Sequence, residues 1–134
     1  MYRGKIESEA LEAGKYWVGD PCYAFDDQEA WMALLYSADF ENRDLLEAAA
    51  NTAVGEFAFT ASGTYCGDGC YPDDEGNTYP VDAGLIGVVR PEEAEVPEPF
   101  GMRLVEFDEP FTVRYEDGDI VIGHLTIHTG GNDE

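Results

Sequence analysis

Positive charge is scarce in this chain. Lys5 and Lys15 are its only lysines, and seven basic residues stand against 29 acidic ones, for a formal charge of −22. Such a surface repels nucleic acid and anionic membranes, because holding a phosphate backbone takes lysines and arginines that neutralise it. Direct binding to either is therefore excluded. Long apolar runs are missing too: nothing approaches the roughly 18 residues that cross a bilayer. The opening MYRGKIESEALEAGK carries no apolar stretch of leader length. These two absences predict a soluble cytoplasmic protein. Cysteine is sparse and odd in number, at Cys22, Cys66 and Cys70, which without a leader argues for reduced thiols and against a disulfide framework. The sequence also holds no Walker loop, GxGxxG, GxSxG or HExxH pattern. Familiar routes to phosphate binding, acyl transfer and zinc proteolysis are thereby closed.

What is present suffices for a core. With 134 residues, 44% of them apolar and 13% aromatic, the chain is sized for one domain over residues 1–134. The acidity has three readings: general solubility, adaptation to high salt, or a surface that imitates a phosphate backbone and occupies a nucleic-acid-binding groove.

The stretch from Gly63 to Arg90, GTYCGDGCYPDDEGNTYPVDAGLIGVVR, organises the rest. Its glycines and prolines rule out a helix, so it predicts a tightly turned hairpin leading into a strand, Leu85 to Val89, apolar enough to be covered on both faces. Upstream, Tyr2 to Glu9 reads as an edge strand and Lys15 to Gly19 as an aromatic strand ended by Asp20-Pro21. Residues 26–38, DDQEAWMALLYSA, read as a helix capped by Asp26 or Asp27, with Trp31, Leu34, Leu35 and Ala38 on one stripe. A second helical piece covers Arg43 to Ala50. From Val54 the period turns to two, with Phe57 and Phe59 on one side. Pro91 to Phe100 is an exposed loop rich in proline and glutamate. Met102 to Phe107, Phe111 to Tyr115 and Asp119 to Thr129 read as strands, the last two joined at Asp117-Gly118, and residues 130–134 as a frayed tail. The fold class predicted is α+β, mostly antiparallel sheet with one or two helices packed on one face.

Two sets of residues are candidates for chemistry. Asp20, Asp68 and Asp82 sit in similar glycine-bearing contexts, and converging carboxylates at strand-end loops can hold a divalent metal. The competing and favoured reading is that each accepts N–H bonds in its own turn. Cys22, Cys66 and Cys70 could add thiolate ligands, with His124 or His128 as a fourth, although two histidines four residues apart on one strand stand about 13 Å from each other. The competing reading is that these are ordinary buried thiols. An EF-hand centred on Gly76 fails, since Tyr71 would fall at its first position and Pro72 and Pro80 exclude its helices. No cofactor is otherwise expected, and no catalytic residue stands out among 29 acids.

Gly19-Asp20-Pro21-Cys22-Tyr23, Trp31, Gly67-Asp68-Gly69-Cys70-Tyr71 and Val81-Asp82-Ala83-Gly84-Leu85-Ile86-Gly87-Val88-Val89 together resemble a family of small uncharacterised proteins of phages, prophages and bacteria. The likeness covers most of Tyr16 to Val89. It brings no activity and no site residues; it implies a mobile-element context, in which small acidic proteins often inhibit host enzymes by binding them. Charge and context lead to one expectation: an acidic binding protein, not an enzyme, that docks on a basic, nucleic-acid-binding face of a host defence protein. Its expected contacts are Asp73, Asp74 and Glu75 at a solvated hairpin tip, Glu92, Glu93 and Glu95 in the loop, and Glu116, Asp117 and Asp119 at the last hairpin. The alternatives are a small metal- or ligand-binding enzyme built on the aspartates and cysteines, and a protein whose acidity is salt adaptation alone.

Overall fold

The turn residues decide where the chain reverses in the computed structural model, which describes residues 5–7, 10–26, 29, 52–54, 57–64, 68–82 and 84–130. In chain order the described strands are β1 Lys5–Glu7, β2 Gly14–Gly19, β3 Thr52–Val54, β4 Phe57–Gly63, β5 Gly69–Pro72, β6 Thr78–Val81, β7 Leu85–Val89, β8 Arg103–Phe107, β9 Val113–Glu116, β10 Asp119–Ile122 and β11 Leu125–His128. Every pairing among them is antiparallel. One sheet runs β3-β4-β7-β2-β8, a second runs β1-β9-β10-β11, and β5-β6 forms a separate hairpin. Antiparallel sheet thus dominates, as the period-two patterning implies. The helices predicted over residues 26–38 and Arg43 to Ala50 fall almost wholly outside the described residues, and so does the tail beyond Gly130.

The strand β7 behaves as its composition requires. All five of its residues are buried, because β4 and β2 flank it within the sheet and side chains of both alternating sets are covered. Gly87 sits where β7 and β4 are closest: a Cβ there would overlap the Thr60 carbonyl and the Ala61 Cα. The two sheets and the hairpin share one buried cluster. Val18, Ile86, Val88 and Val105 come from the five-stranded sheet, Val113, Tyr115, Ile120, Ile122 and Ile127 from the four-stranded one, and Tyr71, Tyr79 and Val81 from the hairpin.

One expected strand is two. Residues 119–129 do not run straight through: Gly123 (φ 58) and His124 turn the chain between β10 and β11. Glycine in the first central position of a two-residue loop gives the II′ geometry whose twist matches antiparallel strands. The consequence is a correction to the histidine geometry, since His124 lies in a turn and only His128 in a strand. The Asp117-Gly118 turn is where the sequence places it, with φ values of 51 and 99, the I′ pattern. Among the described residues, no helix is long and apolar enough to cross a membrane.

Candidate functional site

Asp20 is the most deeply buried acid of the first candidate set, with no exposed surface. It caps the 3-10 turn Pro21–Ala24, where Oδ1 accepts from the Cys22 amide at 3.0 Å. Its other oxygen, Oδ2, accepts from the Asp82 amide at 2.8 Å, 62 residues along the chain. Asp82 in turn accepts from the Tyr23 hydroxyl at 2.6 Å. The expectation that each aspartate serves its own turn is thus only half of the matter. Asp20 serves its turn and also ties that turn to the end of β6.

This junction favours the protonated forms of Cys22 and Tyr23. Burial pushes the Cys22 thiol well above the usual range, and the charge of Asp20 and a hydrogen bond to it push the same way, with Asp82 and Asp68 adding to the effect. Burial and the bond to Asp82 raise the Tyr23 hydroxyl likewise. A thiol held neutral is a poor nucleophile. Asp68 and Cys70 are both exposed; Cys66 lies outside the described residues. Among the described residues, no group of three or more His, Cys, Asp or Glu side chains is placed to hold a metal ion. Both oxygens of Asp20 accept main-chain N–H groups.

The second candidate set divides into a buried anchor and an exposed end. Asp73, expected at a solvated tip, is 6% exposed. Its Oδ1 accepts from the amides of Glu75 and Asn77 at 2.8 and 2.9 Å, and its Oδ2 from the Tyr79 hydroxyl at 2.6 Å. Arg103 donates to that hydroxyl at 2.8 Å and lies 3.7 Å from Asp73. Burial pushes the Asp73 carboxyl up, but the bonds from Tyr79, Asn77 and Glu75 outweigh it and hold the group below the usual carboxylate range. Burial and Asp73 raise the Tyr79 hydroxyl to about 12, against a lowering pull from Arg103. Asp73 therefore builds the tip from inside and presents nothing to a partner.

The rest of that tip, Asp74, Glu75 and Gly76, is exposed. A backbone bridge between Asp73 and Ile127 lays the tip against β11. There His128 stands between the hairpin loop and the start of β10, its Nε2 2.7 Å from Asp74 Oδ1 and its Nδ1 3.0 Å from Asp119 Oδ1. Asp119 also pairs in register with Glu116 across the Asp117-Gly118 turn. Asp74, Glu75, Glu116, Asp117 and Asp119, from segments about 40 residues apart in the numbering, thereby belong to one acidic end. Glu92, Glu93 and Glu95 belong to a different region. They are exposed on and beyond the 3-10 turn Pro91–Glu93, and the Glu95 amide and side chain bond Ala24 and Asp26 near the Asp20 turn.

Three features lie outside both sets. Phe100 is 76% exposed and meets the Tyr23 ring edge-on at 5.7 Å, and Leu104 on β8 is 47% exposed. A groove of about 720 Å³ runs past Glu106, Asp108, Glu109, Arg114 and His124. His128, which the sequence offers only as a zinc ligand, has its two partners 54 and 9 residues away, a separation that no local motif records.

No family model matches the chain, and comparison with curated proteins and with solved structures finds no match.

Proposed function

We propose that this protein is a small acidic binding protein rather than an enzyme, acting in the cytoplasm on a protein partner with a basic, nucleic-acid-binding face. The observation that carries the reading is the gathering of the hairpin tip and the Asp117-Gly118 turn at one end around His128. A dense array of carboxylates at one end, on a chain of charge −22, steers toward basic surfaces and competes with phosphates for them. The buried, protonated Cys22 and the amide-bound Asp20 favour binding over catalysis. In this reading the segments 26–38 and 43–50 supply the one or two helices, packed on one face of the sheet. The phage and prophage resemblance supplies the context, inhibition of a host defence protein.

Capture from bacterial lysate tests it. At about 0.05 M salt the immobilised protein is expected to retain basic, nucleic-acid-binding proteins, and to release them as salt rises and shortens the Debye length to about 8 Å. The triple variant E75Q/E116Q/D117N, which spares both partners of His128, is expected to retain about ten-fold less while folding normally. Failure to recover any such protein at low salt would remove the basis for this function.

A further inference from the structure

The contact geometry of His128 dictates its protonation. Both ring nitrogens lie within hydrogen-bond distance of a carboxylate oxygen, 2.7 Å to Asp74 and 3.0 Å to Asp119. A neutral imidazole has one N–H and one lone pair, whereas an imidazolium has two N–H groups. Only the cation can donate to both carboxylates at once. In the neutral ring one nitrogen lone pair would face an anion across a hydrogen-bond distance, losing a charge-assisted bond and gaining repulsion.

The two carboxylates come from different elements, Asp119 from β10 and Asp74 from the loop between β5 and β6. From the β9–β10 side come Asp117 and Glu116, whose carboxylate lies 3.4 Å from Arg114 Nε and so holds that cation to itself. From the hairpin comes Asp73, with its charge turned inward to Tyr79 and Arg103. We propose that His128 is a proton-operated latch, which holds the hairpin tip against the β9–β10 turn when charged and frees the tip at Asp74 when neutral.

The bonds to Asp74 and Asp119 raise His128 above its ordinary value of 6.5, against the opposing effect of burial. A raised histidine stabilises the folded arrangement fully below the unfolded value, and that stabilisation is lost as pH rises through the folded one. The latch is therefore closed at mildly acidic pH, beginning to open above 6.5 and open at alkaline pH. Its functional meaning, a docking end that comes apart as pH rises, rests on the binding reading above. The latch itself does not.

Nuclear magnetic resonance titration of the intact protein, from about pH 5.5 to about pH 9, tests it without any partner. His128 is expected to titrate with a midpoint above 6.5, carrying protons on both ring nitrogens below that midpoint. The amides of Asp74, Glu75 and Asp119 should shift with the same midpoint, and amide exchange at the tip should quicken above it. D74N is expected to lower the midpoint. H128Q should hold the tip amides at their alkaline wild-type positions at every pH in the range. A midpoint at or below 6.5, tip amides indifferent to it, or H128Q resembling the acidic form would each overturn the latch. Since the titration involves the free protein alone, a failed capture experiment does not alter its outcome.

Discussion

Asp20 has its two oxygens committed to two amides, one two residues ahead and one 62 residues ahead. A hydrogen bond to a charged group contributes about 1.5–3 kcal/mol, and leaving a buried donor unpaired costs a similar amount. Asn in place of Asp20 keeps the shape but can accept with only one atom, so its NH2 group would meet one of the two amides donor to donor. Asp20→Asn is therefore expected to destabilise the protein by about 2–3 kcal/mol, read as a lower urea midpoint with an unchanged slope. A site aspartate waiting for a ligand would behave otherwise, because its removal relieves charge and leaves the midpoint where it was or higher. The same reasoning sets Cys22 apart from reactive cysteines: burial and Asp20 keep its thiol neutral, and thiolate character is what reactivity requires.

Among the elements, β7 and its contact with β4 govern the five-stranded sheet. Gly87 pairs with Ala61 on one side and Gly19 on the other, and a Cβ on it would run into β4 backbone. Backbone yields less readily than the end of a flexible side chain, and overpacking of this kind costs about 1–3 kcal/mol. Gly87→Ala is expected to lose at least that much, with faster amide exchange in β4 than in β9 or β10. Equal urea midpoints for variant and wild type would show that the strands are not so close. The strand itself is legible in the sequence, because five consecutive apolar or glycine residues have few other uses. The Asp117-Gly118 turn is legible for the same local reason. Gly123-His124 is not, since apolar residues on both sides of it make residues 119–129 read as one strand. Asp20 is recognisable as a turn residue from the adjoining Pro21, but its bond to the Asp82 amide depends on where β6 ends. Asp73 reads as solvated because acidic composition says nothing of a side chain folded back onto Tyr79 and Arg103. Sequence patterns report local geometry; they do not report which distant loops a sheet brings together.

For the whole molecule, the charge of −22 acts on folding and on docking with opposite signs. Within the folded chain like charges repel, and compaction brings them closer, so screening should favour the folded state. Between the chain and a basic partner opposite charges attract, and screening should weaken the complex. Adding salt from about 0.02 M to about 0.15 M is expected to stabilise the free protein by roughly 1 kcal/mol, a Tm rise of about 4 °C for a domain of this size. Most of the gain should be complete by then, because the Debye length has already fallen to about 8 Å. Over the same interval, partner capture should fall. Salt adaptation alone predicts a different curve, with stability still climbing into the molar range and the protein unfolded when salt is withdrawn. Thermal melts across the series, set beside capture at the same salt concentrations, separate the two: a melting curve that levels off while capture declines assigns the acidity to binding, and one that never levels off assigns it to the solvent.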